Sequence, residues 1–118
     1  MQYPLSSEKL DVAFMALADA TRRSILARLT LGDANVMDLA APFSMSQPAI
    51  TKHLNVLERA GLISRTKVGR LRRCRAEREA ISEVTGWLET YRQALTANFQ
   101  RLDLLLETMK KQEKENQR

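Results

Sequence analysis

A short segment between residues 47 and 59 carries polar side chains of the types that read base edges in DNA. Ile50, Leu54 and Leu57 recur at the spacing of one helix face, which predicts an amphipathic helix. The outward positions of that helix are Gln47, Pro48, Thr51, Lys52, Asn55 and Arg59. In the major groove Gln can pair with adenine, Thr can contact a thymine methyl group and Lys can reach guanine. Each residue alone would be an ordinary solvent-facing side chain, so the prediction depends on their clustering on one helix.

A basic segment follows that helix. Its six bases, with no acidic residue among them, are Arg65, Lys67, Arg70, Arg72, Arg73 and Arg75. The chain has 19 Lys and Arg against 14 Asp and Glu, a net charge of +5, so its basic excess lies entirely in this segment. A single-sign cluster on a near-neutral chain predicts a polyanionic partner, double-stranded DNA above all. Because strand neighbours face opposite sides, we expect three or four of these bases at most to touch DNA. The candidates are Lys67, Arg70, Arg72 and Arg73.

Several short helices must position these residues. The predicted N-caps are Ser6 or Ser7, Asp19, Asn35 paired with Asp38, and Ser46, and the predicted helix ends are Gly32, Pro42 and Gly61. The inward residues of the first two helices are Leu10, Phe14, Leu17, Ile25, Leu26 and Leu29. A short third helix joined by a few residues to a fourth with a polar outer face predicts a helix-turn-helix.

The hydrophobic period changes directly after Gly61. Residues 62–67 and 71–75 read as two strands, and Gly69 between them supplies the positive φ that a tight hairpin needs. A basic hairpin directly after such a helix is a wing. The predicted fold class is therefore mainly α, a winged helix-turn-helix with a two-stranded β-hairpin wing and a long C-terminal helix.

The long helix is predicted over residues 80–109, which contain no proline and one glycine. Its apolar stripe, in heptad spacing with Phe99 widening it, comprises Ile81, Val84, Leu88, Tyr91, Leu95, Phe99, Leu102 and Leu105. An exposed stripe of this length is costly, so we expect it to pair with a second copy of the chain, the alternative being that it packs back on its own domain. The predicted organisation is one domain with a DNA-binding region over 1–79, a dimerisation helix over 80–109 and a frayed polar tail over 110–118.

Other classes of function find little support. Cys74 and His53 are the single residues of their types, which is too few for a zinc-finger ligand set or a disulfide framework. We expect His53 to be a partly buried helix residue, with a phosphate hydrogen bond as an option, and Cys74 to be a packing residue. No catalytic triad, phosphate-binding glycine loop or cofactor site is visible. The longest apolar run is seven residues and no secretory signal is visible, so we expect a cytoplasmic protein without a membrane partner.

Two segments resemble a known family. Residues 14–29 (FMALADATRRSILARL) and 45–63 (MSQPAITKHLNVLERAGLI) are similar to the opening and the recognition helix of ArsR-family winged-helix repressors. The resemblance extends over roughly residues 10–108 and implies a homodimeric bacterial or archaeal transcription regulator, usually a repressor, that binds an inverted repeat. It places the DNA-reading residues on Gln47, Thr51, Lys52 and His53, and the wing on residues 67–72.

The metal-sensing motifs of that family do not match. Their paired cysteines would fall near residues 35–39, where this chain has no cysteine, and their C-terminal site needs histidine, which residues 80–118 lack. The resemblance therefore implies the branch without metal sites, whose effectors are often unidentified.

Two other interpretations of the residues stay open. One is a non-specific architectural DNA- or RNA-binding protein, and the other is a protein-interaction module whose long helix binds a different helical partner.

Overall fold

A computed structural model describes residues 7–117 of the chain. Its elements are α1 (Ser7–Leu17), α2 (Ala20–Thr30), β1 (Ala34–Asn35), α3 (Val36–Ala40), a 3₁₀ turn (Ala41–Phe43), α4 (Gln47–Arg59), β2 (Ile63–Val68), β3 (Leu71–Ala76) and α5 (Arg78–Asn116). This order is a winged helix-turn-helix, mainly α, followed by a long C-terminal helix, and the predicted fold class is confirmed. No helix in the described range is both long and apolar enough to cross a bilayer.

Three predicted helix signals have the expected local structure. The Asp19 carboxylate accepts a hydrogen bond of 3.0 Å from the Arg22 backbone N–H, which caps α2. Ser46 Oγ accepts from the Ala49 N–H at 3.3 Å and caps α4. Gly61 follows α4 with a φ of +74°, which lets the chain turn sharply towards the wing. The alternative cap Ser6 lies outside the described residues, and Ser7 is the first residue of α1.

One predicted cap does not form. Asn35 occupies the N-cap position of α3, but its side chain makes no capping hydrogen bond. Asn35 also belongs to β1, where its backbone is paired with Arg73. The chain enters α3 directly from an extended strand, so the strand partner rather than the side chain fixes this turn.

The core lies between α1, α2, α4 and the sheet. Its centre holds Ile25, Ile50, Leu54 and Leu57, which are all completely buried. Each such side chain stabilises the fold by about 1.5–3 kcal/mol relative to an exposed one. In α1 the buried positions are alanines, whereas the predicted Leu10, Phe14 and Leu17 are only partly buried. Because Ile50, Leu54 and Leu57 of α4 are buried in this core, the opposite face of α4 points outward.

The sheet has three antiparallel strands in the order β1-β3-β2. The two-residue turn at Gly69 and Arg70 joins β2 to β3, and Gly69 has the predicted positive φ of +62°. The predicted two-stranded hairpin is confirmed, and β1, which the sequence did not predict, adds a third strand to it. That strand pairs Ala34 with Cys74 and secures the inner edge of the wing to the core.

The described chain divides into two compact units, one up to Val84 and one from Thr85 onwards. Helix α5 begins at Arg78, two residues before the predicted start, and continues through Asn116. The predicted frayed tail is therefore helical as far as Asn116, because Lys, Gln and Glu favour helix and no proline or glycine interrupts this stretch. In the second unit, Trp87 and Tyr91 stack with ring centroids 5.9 Å apart.

Candidate nucleic-acid interface

Helix α4 presents the predicted DNA-reading side chains on its outer face. Gln47, Pro48 and Lys52 are exposed, and Thr51 is half-buried. The Thr51 hydroxyl donates to the Gln47 carbonyl at 2.9 Å, which leaves the lone pairs of its oxygen free to accept from a ligand. These residues occupy the first turns of the helix, where side chains reach furthest into a DNA groove.

A groove of about 310 Å³ separates the start of α4 from the wing. Its polar lining residues are Asn35, Gln47, Thr51, Arg65, Arg70 and Arg72, and none of the described residues that line it is acidic. The structure thus brings two predicted reading residues together with two of the predicted basic contacts. A groove between a polar helix end and the guanidinium groups of Arg70 and Arg72 is suited to a phosphate-bearing ligand.

Arg65 does not share the role of the other wing bases. Its guanidinium makes two hydrogen bonds of 3.1 Å to the Glu58 carboxylate and a third to Asn55 Oδ1, and only 11% of its side chain is exposed. The hydrogen bonds from Arg65 hold the pKa of the Glu58 carboxyl below its usual value, and the same contact raises the pKa of Arg65. The predicted DNA contact Asn55 therefore has its amide oxygen already occupied by Arg65.

The strand register divides the wing bases between two faces. Lys67 is paired with Arg72, and both lie on the face of Cys74, which points into the core. Arg73 and Arg75 lie on the opposite face, with Nε atoms 3.9 Å and 3.4 Å from the Asp33 carboxylate. Arg73, which the sequence predicts as a DNA contact, thus lies on the strand face beside Asp33 and not on the face of Arg72.

His53 is tied to helix α2 rather than presented with the reading residues. Its Nδ1 lies 3.3 Å from Arg22 Nη1 and 3.8 Å from Asp19 Oδ2, and 20% of its side chain is exposed. The hydrogen bond from the backbone N–H of Arg22 is the main cause of a lowered pKa at the Asp19 carboxyl. The expectation of a partly buried histidine is confirmed. No group of three or more metal-binding side chains occurs within residues 7–117.

Cys74 is completely buried, and this burial raises the pKa of its thiol. A buried thiol of raised pKa is a poor nucleophile, which agrees with the expected packing role.

The predicted dimerisation stripe is split. Val84 is 5% exposed and belongs to the core of the first unit, and Ile81 packs against the same core. These two residues therefore pack within the protomer, Val84 fully and Ile81 in part. The remaining stripe residues, all with large exposed fractions, are Leu88, Tyr91, Leu95, Phe99, Leu102 and Leu105.

Sequence reasoning missed the acidic and basic partners that position the site. Asp33, Glu58 and Arg22 contact Arg75, Arg65 and His53, which lie 42, seven and 31 residues from them along the chain. No local sequence pattern predicts a contact between residues that lie 31 or 42 positions apart. The Glu58 contact had a usable signal, since Asn55 and Glu58 are three residues apart and share one side of α4.

The fold and this groove define the class of protein, a winged-helix DNA-binding transcriptional regulator. Residues 19–65 match the family described as bacterial regulatory protein, arsR family. A crystal structure of an ArsR family transcriptional regulator is 43% identical and has a TM-score of 0.69, covering 80% of this chain and 95% of its own. The chain therefore belongs to the ArsR family.

Two further relatives are informative. The transcriptional repressor SdpR of Bacillus subtilis is 42% identical over 60 residues, which span 51% of this chain and 67% of SdpR. A homodimeric winged helix-turn-helix DNA-binding domain from Mycobacterium bovis, solved in solution, covers 78% of this chain and 91% of its own with a TM-score of 0.61. At 19% identity this last likeness shows the fold alone.

Proposed function

We propose that this protein is a homodimeric transcriptional repressor that binds an inverted repeat in double-stranded DNA. The observation that carries the proposal is the acid-free groove in which Gln47 and Thr51 lie beside Arg70 and Arg72. The similarity to SdpR, which is a repressor, supports the direction of regulation. Since its ligand is chromosomal DNA, the protein would act in the cytoplasm.

In this proposal α4 is the recognition helix and enters the major groove. Gln47, Thr51 and Lys52 contact base edges, and Pro48 lies against the groove at the start of the helix. Lys67, Arg70 and Arg72 contact the flanking backbone or the adjacent minor groove, for which guanidinium groups are well suited. Asn55 contributes only through its amide nitrogen, because its oxygen accepts from Arg65.

Self-association is assigned to the part of α5 after Val84. The exposed apolar side chains from Leu88 to Leu105 need a partner, and a second copy of the chain supplies a matching stripe. The homodimeric domain from Mycobacterium bovis has the same fold, which supports this assignment. A two-fold dimer would place two recognition helices on half-sites about 10–10.5 bp apart. Binding at a promoter would then exclude the polymerase.

We further propose that DNA binding needs no metal ion. The support is in the sequence, since residues 35–39 have no cysteine and α5 has no histidine. Addition of zinc should leave the affinity for DNA unchanged. A zinc-dependent change in affinity would contradict this part of the proposal and would direct attention to His53 and Cys74.

The proposal is tested by fluorescence anisotropy on the DNA upstream of the protein's own gene, with a shuffled duplex of equal length as reference. We expect a preference of roughly 10³ or more that persists at raised salt. Gln47→Ala and Lys52→Ala should each weaken specific binding by about 1–3 kcal/mol. Gln100→Ala, an exposed position on α5, is the matched control and should bind like the wild type.

Two outcomes would contradict the proposal. The first is equal binding to both duplexes that weakens equally as salt is raised, together with a genome-wide selection of bound fragments that yields no preferred sequence. These results would favour a non-specific architectural protein. Unchanged specific affinity in both α4 variants would show that the base-reading residues are assigned wrongly.

A further inference from the structure

The ring of His53 contacts Arg22 through Nδ1, and its side chain is partly exposed. We propose that His53 donates its Nε2–H to a DNA backbone phosphate, and that Arg22 is the positioning residue that fixes the ring proton on Nε2. This inference rests on the proposed DNA binding, and it assigns to His53 a phosphate contact instead of the base reading that the family resemblance implies.

The contact with Arg22 determines which ring nitrogen carries the proton. A guanidinium has only N–H donors and stays protonated at all ordinary pH values. Because Arg22 Nη1 lies 3.3 Å from His53 Nδ1, a hydrogen bond between the two requires Nδ1 to be the acceptor. The proton of the neutral imidazole is therefore on Nε2.

Arg22 is itself held firmly by the end of α1. Its Nε donates to the Ala16 carbonyl at 2.6 Å and its Nη2 donates to the Met15 carbonyl at 3.2 Å. The guanidinium therefore cannot follow the imidazole if the ring turns, and the ring takes its orientation from Arg22. A chain of contacts thus joins α1, the start of α2 and the recognition helix.

The His53 side chain is partly exposed, with 20% of its surface open to solvent. Within the described residues, its ring contacts join Nδ1 to Arg22 and Asp19. The protein thus presents a single oriented N–H donor beside its recognition helix.

The position of His53 on α4 indicates what that donor meets. Thr51 and His53 are two residues apart, and at about 100° per residue they lie on opposite flanks of the helix. Thr51 lines the groove on the wing side, with exposed Lys52 between the two flanks. Because a helix about 10–12 Å across fills a major groove about 12 Å wide, each flank faces one backbone wall. His53 therefore faces phosphates of the strand away from the wing.

Charges around His53 are compatible with an anion. Asp19 Oδ2 is 3.8 Å from Nδ1 and would repel a phosphate, but the Arg22 guanidinium beside it offsets that charge. Lys52, the preceding residue on α4, is exposed and adds a further positive charge.

The tautomer is tested first, in the free protein and without any substitution. His53 is the single histidine of the chain, so a long-range ¹H–¹⁵N NMR spectrum reports on this ring alone. At a pH where the ring is neutral, we expect the proton on Nε2 and an acceptor signal from Nδ1. A proton on Nδ1 would overturn the proposal, and this result does not depend on whether the protein binds DNA.

The phosphate contact is tested with two substitutions. In His53→Gln the amide nitrogen reaches the position of Nε2, whereas in His53→Asn the shorter amide ends near Nδ1. We expect His53→Asn to bind both the specific and the shuffled duplex about tenfold more weakly, since it removes a hydrogen bond to a charged group. His53→Gln should keep most of the affinity. Circular dichroism would confirm that both variants are folded, and the NMR result stands if one is not.

Salt dependence separates this donor from a charged contact. A neutral donor releases no counterion, so the slope of log K against log salt should be unchanged in His53→Asn. In the comparison variant Arg70→Gln, which removes a base assigned to the DNA backbone, the slope should be smaller by about 0.9. Full affinity in His53→Asn, or an altered order of preferred sequences, would overturn the phosphate contact. If the proposed function itself is wrong, the wild-type protein will bind the specific and the shuffled duplex equally.

Discussion

Arg65 shows that a wing arginine can serve the fold rather than the ligand. Its guanidinium joins β2 to α4 through Glu58 and Asn55, and its side chain is largely buried. The angle between the wing and the recognition helix is thereby set by one bidentate ion pair, a geometry in which Arg and Lys are not interchangeable.

The Arg65 contact predicts how stability responds to acid. The hydrogen bond from Arg65 lowers the pKa of the Glu58 carboxyl from its usual 4.5. The folded state therefore binds the carboxyl proton of Glu58 more weakly than the unfolded state does. The pair therefore stabilises the fold above the usual pKa, and this contribution disappears as the pH falls through the folded value. Urea unfolding from pH 6 to 3 should show a smaller acid loss of stability in Glu58→Gln than in the wild type. Parallel pH profiles for the two proteins would contradict this role.

The elements differ in how much of them the sequence could predict. Helix α4 was predictable at both ends because Ser46 and Gly61 give local signals that need no tertiary partner. The strand β1 was not, since two residues carry no alternation and Ala34 is a strand only because Cys74 lies beside it. The end of α5 was placed too early because its last turns are stabilised by helix propensity, not by an apolar stripe.

Some features of the candidate site could likewise be predicted from the sequence, and others could not. The exposure of Gln47 and Lys52 follows from the helical period, which the sequence displays. The separation of Arg72 from Arg73 follows from strand alternation, but which of the two faces the helix depends on the register with β2. The contact between Arg22 and His53 depends on the packing of α1, α2 and α4 together, and no local rule gives it.

Helix α5 yields a prediction about self-association. Leu102 is half exposed within the apolar stripe, and Gln100 is exposed on the same helix away from the heptad positions of that stripe. Leu102→Glu should raise the dimer dissociation constant strongly, because it would bury a charge in an apolar contact. Gln100→Glu adds the same charge outside the stripe and should leave the dimer intact. Sedimentation equilibrium measures both, and an equally stable dimer in both variants would place the contact elsewhere.

At the scale of the whole molecule, the charge is strongly localised. The basic excess that gives the chain its net charge of +5 lies on one hairpin, and the register divides it between a face beside the groove and a face beside Asp33. Net charge alone would attract any polyanion equally. The division means that binding should depend on which face loses charge.

This division can be measured with two double variants of equal charge. Arg70→Gln with Arg72→Gln removes the groove bases, and Arg73→Gln with Arg75→Gln removes the bases beside Asp33. We expect the slope of log K against log salt to fall by about 0.9 for each phosphate that the first variant no longer neutralises, with little change in the second. Equal effects in an anisotropy titration would show that total charge, not its placement, governs binding.

The register of the wing also limits how its length can change during evolution. Adding one residue to one strand moves every later side chain of that strand to the other face, so the groove bases would exchange places with those beside Asp33. Adding one residue to each strand next to the turn at Gly69 lengthens the hairpin and keeps both faces as they are. Insertions and deletions tolerated in this hairpin should therefore come in matched pairs across the turn, and unpaired ones should be eliminated.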